Sequence, residues 1–467
     1  MSELTRIFSA LICAVLLYMN IKITGIVFIL LIITVLFYFF IKEKNLIYVI
    51  LLLVFYIYLN LVTYNGDLSG ERRLFVKFDG RTGTVLRIDN RYTDKRIFIN
   101  NTGYPYGFYT LTYKIQQIKK KNGIFTINGK LKEIKEGKLN FIRNFMLQKL
   151  ENAFDGEYDI SVFAKAAVLG EKGNIDEEFN RMFKNTGLSH LIVISGLHIG
   201  LIIIVFLKIF ENTIYSYKMK YILTWSLLSV YCAVIGFSVS VLRTYITGSI
   251  MIFSKIFFEE KDSRKSFFIS LIVTVMILPY SLFDISFQLS YGAVGSILFI
   301  YPVFERLYSA KCRIKDNFID HILKTALLSF VIQIMTFPVF LYNFQTMPVF
   351  SFMCNIVGIP LGTLLIQLIF LVLLLNVFGI ELFNKIFLLI IKFIFNAFET
   401  IIYFLDKIPL LQINAEIRIH WVFILFYYII IAAGIQFLRY YEIKYGYKKP
   451  LSIKLIILSV AVISDIM

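Results

Sequence analysis

A succession of long apolar runs constrains the fold of this chain more than any other feature. About ten runs follow residue 190 and three come before residue 63; they lie near residues 7–18, 23–41, 46–62, 190–207, 221–237, 241–257, 267–283, 285–303, 322–342, 350–375, 386–405, 419–438 and 451–464. A run of about 20 apolar residues is long enough to cross a bilayer as a helix. A hydrophobic fraction of 58% is also outside the range of soluble proteins. The sequence therefore predicts a mostly α-helical, polytopic membrane bundle with about 12 to 13 spans.

The residue types divide the chain into five segments. Residues 1–63 carry the first transmembrane helices, residues 64–139 are polar, and residues 140–189 have the apolar stripes of amphipathic helices on a membrane surface. Residues 190–440 form the main transmembrane domain, and residues 441–467 hold a basic loop and a last apolar segment. No small-residue cleavage site follows the first run, so we expect that run to remain as an anchor.

The polar segment, residues 64–139, has the pattern of a small β-barrel. Turn signals separate five β-rich pieces, residues 74–78, 83–89, 96–100, 109–116 and 123–134. Five strands in so short a segment suggest an oligonucleotide-binding (OB) barrel. This insert is the main β-structure that we expect in an otherwise helical protein.

The barrel segment is also strongly basic. Residues 64–155 contain 18 Lys and Arg against 9 Asp and Glu. Cations that follow phosphates and aromatic rings that stack on bases are typical of proteins that bind single strands. On this hypothesis the candidate binding residues are Arg81, Arg87, Arg91, Tyr92, Arg96, Tyr109 and Lys114. The alternative is a solvated scaffold face in a basic chain.

Lysine and arginine collect in alternate loops of the predicted bundle. They are concentrated near residues 42–44, 208–220, 261–265, 306–315 and 439–449, whereas the intervening loops hold almost only Lys407 and Arg418. Basic loops stay on the cytoplasmic side of a membrane. We therefore expect the barrel on the extracellular side.

The stretch from Thr186 to Leu201 places His190, Ser195 and His198 at the head of an apolar run. Hydrocarbon cannot hydrogen-bond such groups, so they usually face a bundle interior or a watery cavity. A hydrolase could use Ser195 with either histidine, but no carboxylate lies near in sequence and the nucleophile-elbow pattern is absent. The two histidines lack a local third ligand, and the four cysteines have no paired spacing. We expect neither a metal site nor a cofactor.

Further polar groups lie within or beside apolar runs. They include Arg243, Asp284, Gln288, Ser290 and Asn355. An isolated polar residue usually bonds one helix to another, but so many in one chain favour a polar pathway. A cation at the outer mouth with neutral donors beyond it suits a polyanion, because fixed carboxylates would repel one.

Four blocks of residues, in order, resemble a known family. They are residues 166–198, with Thr186-Gly187-Leu188-Ser189-His190 and Ile194-Ser195-Gly196-Leu197-His198, then residues 236–243, 262–290 and 337–360. Together they resemble the ComEC family of competence proteins, the inner-membrane channels for DNA entry in natural transformation. The stretch from Gly80 to Ile99 also looks like the opening strands of the family's extracellular OB domain.

The resemblance implies a channel in residues 190–440 that passes single-stranded DNA inward across the cytoplasmic membrane without catalysis of its own. The residues that would line or shape the route are His190, Ser195, Gly196, His198, Arg243, Asp284, Gln288, Ser290 and Asn355. The implied partners are single-stranded DNA, the lipid bilayer, a cytoplasmic ATP-driven motor, a separate nuclease and an extracellular DNA receptor.

One departure from the family is visible in the sequence. Many members end in a metallo-β-lactamase-like domain with a histidine-rich zinc motif, and no such motif occurs in these 467 residues. We therefore expect a form without the nuclease part. A membrane-embedded serine hydrolase and a small-anion transporter remain the alternative functions, although a basic barrel would be superfluous for a small anion.

Overall fold

The structure, a computed structural model, describes residues 54, 55, 57, 58 and most of residues 69–438. The gaps in the second range are residues 79–81, 94–95, 101–103, 105–106, 122–123, 172, 174, 212, 260–261, 279–280, 283, 312–316, 345, 349–350, 408–411, 415–423, 425, 429 and 432. The predicted spans at residues 7–18, 23–41 and 451–464, and most of the span at 46–62, lie outside the described residues. The described residues form two compact units, one made of those up to residue 290 with 357–408 and the other of residues 291–356 with those from 409 onward.

From residue 69 onward, six strands come first in the described chain, and helices follow with two short strands among them. The strands are β1 (Gly70–Phe78), β2 (Thr82–Ile88), β3 (Arg91–Tyr92), β4 (Arg96–Asn100), β5 (Gly107–Lys121), β6 (Ile124–Glu136), β7 (Thr346–Pro348) and β8 (Gln412–Asn414). The helices are α1 (Asn140–Ala153), α2 (Tyr158–Ala164, continued by a π-helical turn, Lys165–Leu169), α3 (Glu177–Asn185), α4 (Ser189–Ile192), α5 (Gly196–Glu211), α6 (Tyr217–Ile235), α7 (Val239–Phe257), α8 (Ser263–Ile277), α9 (Ile285–Gly295, continued by a π-helical turn, Ser296–Ile300), α10 (Tyr301–Lys311), α11 (Asn317–Phe344), α12 (Ser351–Val377) and α13 (Asn384–Asp406).

The five longer strands of the first sheet close into a barrel. Strand β1 pairs antiparallel with both β2 and β5, β2 pairs with β4, β4 pairs in parallel with β6, and β6 returns to β5. The two-residue β3 only extends the pairing of β2. Inward side chains alternate with outward ones along β1, where Leu74, Val76 and Phe78 are buried. The predicted five-stranded barrel and the mostly helical fold are confirmed.

Polar backbone contacts fix the barrel to the first helix. The side chain of Asn140, which is 2% exposed, accepts a hydrogen bond from the backbone N–H of Phe108 at 3.1 Å and donates one to its carbonyl at 3.0 Å. The Phe108 ring contacts Gly236, where an added Cβ atom would lie 2.3 Å from Cζ of that ring. The barrel and the turn between α6 and α7 therefore meet at the same end of the helical body.

A buried arginine connects α1 to two other helices. Arg143 is 1% exposed and donates hydrogen bonds to the carbonyls of Leu169 and Val234. These carbonyls lie at helix ends, where intrahelical partners are missing and a cation is favoured by the helix dipole. Burial raises the pKa of Glu171 nearby, and the positive charges of Arg143 and Lys165 oppose that rise.

The predicted amphipathic segment, residues 140–189, runs beside α13. Lys149 pairs with Glu381 at 3.1 Å, Glu157 pairs with Lys392, and Asn185 donates to Asp406 at 2.7 Å. Residues 160–169 are buried in the protein core, so the expectation that this piece lies on a membrane surface is wrong. Its apolar side chains pack against other helices in one buried core.

Four described helical stretches are long and apolar enough to cross a membrane. They are Ile285–Ser309, Ile319–Phe344, Ser351–Val377 and Asn384–Asp406. Helices α6 and α7, with 19 residues each, are more polar, and α5 has only 16 residues. The chain is a multi-pass membrane protein, as the sequence predicted.

A proline inside α11 is matched by a tyrosine from later in the chain. Pro338 has no backbone N–H, so the carbonyl of Ile334 one turn earlier loses its helical partner. The Tyr427 hydroxyl donates to this carbonyl at 2.7 Å, and the Tyr428 hydroxyl donates to the next one, Met335, at 3.0 Å. Freed backbone groups at membrane depth need such partners.

The contact between Phe108 and Gly236 predicts that Gly236→Ala destabilises the protein more than Gly156→Ala. Both glycines have a positive φ, +86° and +80°, so both substitutions carry backbone strain, and the ψ of 142° at Gly236 adds to it because few residues other than glycine adopt that region. Only at Gly236 does the added methyl group also collide with a ring, which typically costs about 1–3 kcal/mol more. Thermal unfolding of the two purified variants in detergent measures the difference. Equal melting temperatures would show that the barrel does not press on this turn.

Candidate functional site

A tight helix ending positions the predicted histidine and serine groups. Helix α3 ends at Asn185, and Gly187, whose φ is +76°, follows its C-cap. The N–H groups of Gly187 and Leu188 donate to the carbonyls of Lys184 and Phe183, respectively. This double bond pattern is the Schellman motif, which needs a left-handed residue and therefore favours glycine. His190 follows in α4, where Nδ1 lies 3.1 Å from the carbonyl of Gly187 and must donate to it.

The short helix α4 lies on two glycines of the membrane-spanning helix α12. A Cβ atom on Gly358 would lie 2.7 Å from Leu188, and one on Gly362 would lie 2.7 Å from Leu191. Both leucines are fully buried. Small residues four apart let another segment approach the backbone of a membrane helix closely. Gly358 and Gly362 thus allow the segment around His190 to pack closely against α12.

Ser195 and His198 form a closed capping turn at the start of α5. The Ser195 hydroxyl oxygen accepts the Leu197 N–H at 3.2 Å, and the Ser195 carbonyl accepts the Ile199 N–H at 3.3 Å, so Ser195 is the N-cap. Nδ1 of His198 accepts the Ser195 N–H at 3.2 Å and lies 2.9 Å from its hydroxyl oxygen. Nε2 of His198 therefore carries the proton and donates it to the carbonyl of Leu191 at 3.2 Å.

This geometry favours a structural role for the serine and histidine pair over a catalytic one. The imidazole is fully buried, and a backbone carbonyl rather than a carboxylate binds its far nitrogen. A base that orients a nucleophile needs its own lone pair free for the proton, but Nδ1 already accepts a backbone N–H. Among the residues that the structure describes, no three His, Cys, Asp or Glu side chains are grouped to hold a metal ion.

The guanidinium of Arg243 lies directly over the start of α5. A Cβ atom added to Gly196 would be 2.5 Å from Nη2 of Arg243 and 2.8 Å from Oγ1 of Thr244. The cation and the N-terminal end of a helix lie side by side, and both attract anions. The structure thus brings together Ser195, Gly196 and Arg243, three of the predicted pathway residues.

Hydroxyl groups extend this site along α7. Thr244 donates to the carbonyl of Ser240 at 3.0 Å, and the hydroxyl of Ser290 donates to that of Ser240 at 3.3 Å. These groups, half-buried on neighbouring helices, are neutral. Arg243 and the three hydroxyl residues therefore form one polar patch, which we call the Arg243 patch.

The other predicted pathway residues have local structural roles. Asp284 accepts the Ser286 N–H at 2.7 Å and so caps α9, and the Gln288 amide donates to the carbonyl of Leu282 at 3.1 Å. Asn355 lies in the second turn of α12 and belongs to the second compact unit. For these three residues a place on a DNA route stays a prediction.

The barrel residues divide between exposed and buried positions. Tyr109 is 1% exposed and packs against Phe78 with ring centroids 5.5 Å apart, so the prediction that it stacks on a base is wrong. Arg87, Arg91 and Lys114 are exposed, and the Arg87 guanidinium lies 4.4 Å from the centre of the Tyr92 ring. Arg81 and the side chain of Arg96 lie outside what the structure describes.

The sequence analysis missed several residues of these sites. Gly358 and Gly362 carry a recognisable signal, a small-x-x-x-small spacing within an apolar run. The half-buried rings of Phe75 and Phe108 stack at 5.9 Å on the outer face of the barrel, and only strand register brings them together. Thr244 had no sequence signal of its own.

Known proteins resemble this chain over its helical part. Residues 167–440, more than half of the chain, match the profile of the family described as "Competence protein". The "ComE operon protein 3" of Bacillus subtilis is 25% identical over 205 residues, which are 44% of this chain and 25% of that protein. The "Recombination protein 2" of Haemophilus influenzae is 25% identical over 263 residues, 54% of this chain and 33% of that protein.

An uncharacterized protein of Aquifex aeolicus is 26% identical over 165 residues, 35% of this chain and 39% of that protein. The matched part of the chain thus spans between a quarter and two fifths of the length of these relatives. No solved structure gives a significant match.

The position of Arg243 over α5 predicts opposite effects of alanine at two glycines of that helix. Gly196→Ala forces the guanidinium and the Thr244 hydroxyl to move, at a typical cost of about 1–3 kcal/mol. Gly200→Ala meets no described atom within 4 Å and gains about 1 kcal/mol of helix propensity. Melting temperatures in detergent should fall for the first variant and rise slightly for the second. Equal shifts would contradict the close approach of Arg243.

Proposed function

The chain belongs to the competence protein family, and on this premise we propose that it is an inner-membrane channel that passes single-stranded DNA into the cytoplasm. The observation that carries the proposal is the Arg243 patch, which places a cation, a helix start and neutral hydroxyls together near the barrel. Such a patch attracts a phosphate backbone, and its neutral hydroxyls add hydrogen-bonding groups without a fixed negative charge.

The ends of α6 and α7 support an extracellular barrel. Their turn at Gly236 contacts the barrel, and at the opposite end Tyr217 stacks on Phe258 with centroids 5.5 Å apart. Helices of this length extend about 28 Å. Described cations cluster at that far end: Lys218, Lys220, Lys255, Arg264 and Lys265. Because basic loops stay inside, the barrel end faces outward in this proposal.

The barrel would receive the strand outside the cell. Its exposed arginines and lysines attract the phosphates of single-stranded DNA, and this attraction depends on the salt concentration. A small-anion transporter would gain nothing from such a domain. We therefore favour DNA as the substrate over a small anion.

Movement of the strand needs other proteins in this proposal. The sequence contains no phosphate-binding loop of the form G-x-x-x-x-G-K-[ST], so we expect a cytoplasmic ATP-driven motor to supply the energy. A separate nuclease would degrade the second strand, and an extracellular receptor would deliver the DNA. These partners remain expectations from the family resemblance.

The role of Arg243 predicts that Arg243→Gln lowers DNA uptake by about tenfold to a hundredfold, the loss expected from removing one charged hydrogen-bonding partner. The measurement is nuclease-resistant labelled DNA in transformable cells that depend on this chain, at matched amounts of membrane-inserted protein. Lys255→Gln is the control, because Lys255 is an exposed cation at the other end of the same helix. Normal uptake with Arg243→Gln, or an equal loss with Lys255→Gln, would refute the role of the Arg243 patch.

The capping turn predicts that Ser195→Ala changes uptake only slightly. Alanine removes one helix cap, worth about 1 kcal/mol, and leaves the His198 bonds to the backbone N–H of Ser195 and the carbonyl of Leu191 in place. A serine hydrolase would instead lose all activity, and the native protein would react with a fluorophosphonate probe at Ser195. Both uptake and probe labelling are measured on the same two proteins.

A further inference from the structure

One outward face of the barrel joins cations and aromatic rings into a continuous stripe. On β1, Arg73, Phe75 and Lys77 point outward, alternating with buried residues. Register places Arg87 of β2 opposite Phe75, and Phe108 of β5 opposite Lys77. With Tyr92, which pairs with Arg87 across β2 and β3, these six residues form what we call the β1 track.

The geometry points to the β1 track as the surface on which the barrel holds single-stranded DNA, and this inference rests on the proposed function. In the usual ligand face of an OB barrel the second and third long strands carry the contacts. Here those strands are β2 and β4, whereas the track lies on β5, β1 and β2. In this inference, the single-stranded DNA is therefore bound on a different face of the barrel.

The upper part of the track combines a shallow cavity with arginines suited to phosphate. The cavity has a volume of about 110 Å³ and is lined by Arg73, Phe75, Arg87, Asn90 and Thr110. Arg87 donates to the Tyr92 hydroxyl at 2.6 Å, which fixes the guanidinium and leaves most of its five N–H donors for another partner. Within the described part of the chain, neither Arg73 nor Arg87 forms an ion pair with a carboxylate.

The carboxylate of Asp89, which lies beside the upper track, is neutralised by other groups. Asp89 accepts the backbone N–H of Arg73 at 3.0 Å and pairs with Arg72 at 3.4 Å. The Arg72 and Asp89 pair therefore adds no net charge beside the track. The field over the cavity stays positive and attracts a polyanion.

The lower part of the track supplies aromatic surface and leads to the helical body. Phe75 and Phe108 stack with their rings 12° from parallel, and the Lys77 ammonium lies 5.5 Å from the centre of the Phe108 ring. Phe108 in turn contacts Gly236, three residues before α7 begins, and Arg243 lies on the second turn of that helix. A strand that follows the track is thus delivered to the Arg243 patch.

The test measures binding of a fluorescent oligothymidylate about 16 nucleotides long, near the upper site size of one OB fold, to the full chain in detergent. We expect Phe75→Leu to weaken binding about fivefold to a hundredfold, the loss of one stacked base, and Phe75→Tyr to restore it. Arg87→Ala should lower the slope of log affinity against log salt by about 0.7. A duplex of the same sequence should bind more weakly, because its bases are already stacked.

Two matched controls lie away from the β1 track, one on the usual ligand face of β2 and β4 and one on the wall formed by β5 and β6. Phe98 of β4 is a half-buried outward phenylalanine opposite Thr84 of β2, and Lys119 of β5 is an exposed cation opposite Thr126 of β6. Phe98→Leu and Lys119→Ala should leave affinity within about twofold of wild type. If these two variants lose binding while Phe75→Leu and Arg87→Ala keep it, the β1 track is wrong and the DNA-binding barrel stands. If the wild type binds no oligonucleotide at any salt concentration, the proposed function itself fails.

A crosslinking experiment keeps the inference testable if a variant folds poorly. A photoreactive phenylalanine replaces Thr110 on the track in one protein and Thr126 on the opposite wall in another, both half-buried threonines of the barrel. We expect the oligonucleotide to crosslink at position 110 and not at position 126. The reverse pattern, or equal crosslinking at both positions, would overturn the assignment.

Discussion

The guanidinium of Arg143 is the interaction on which the arrangement of this protein depends. It is almost completely buried, and it binds carbonyls at the ends of two different helical segments, Leu169 and Val234. Removing such a group would leave buried carbonyls without partners, which is costly in a low-dielectric interior. Because α1 carries both Arg143 and Asn140, the same helix turn anchors the helical core and the barrel. The positions of the barrel and of the turn at Gly236 follow from this one helix.

Close approach between helices also shapes the Arg243 patch and the segment beside it. Close packing explains three glycines: Gly196 admits Arg243, while Gly358 and Gly362 admit Leu188 and Leu191. The histidine and serine that look catalytic in the sequence stabilise the bend between α4 and α5. This bend holds the start of α5 in place beside Arg243, the arrangement on which the proposed function depends.

Local patterns predicted much of this structure, and contacts distant in sequence account for the rest. Alternation along the strands predicted the barrel, and it also places Tyr109 in the core, since Tyr109 shares its face with Leu111. The capping turn at Ser195 is local and follows from a serine before an apolar helix. In contrast, residues 160–169 and α13 each look like membrane-facing helices by periodicity alone. Their mutual contacts join segments more than 200 residues apart, which no local pattern reveals.

The attachment of the barrel has a mechanical consequence. Asn140 holds the backbone of β5 on both its N–H and its carbonyl, and the Phe108 ring rests on Gly236, so the barrel is seated directly on the body without a hinge at this point. Tension on a DNA strand bound to the barrel would then act on the hydrogen bonds between Asn140 and the backbone of Phe108, and the barrel would not swing on a flexible tether. In the proposed function, a motor on the cytoplasmic side would therefore pull the DNA strand across a barrel that stays in place.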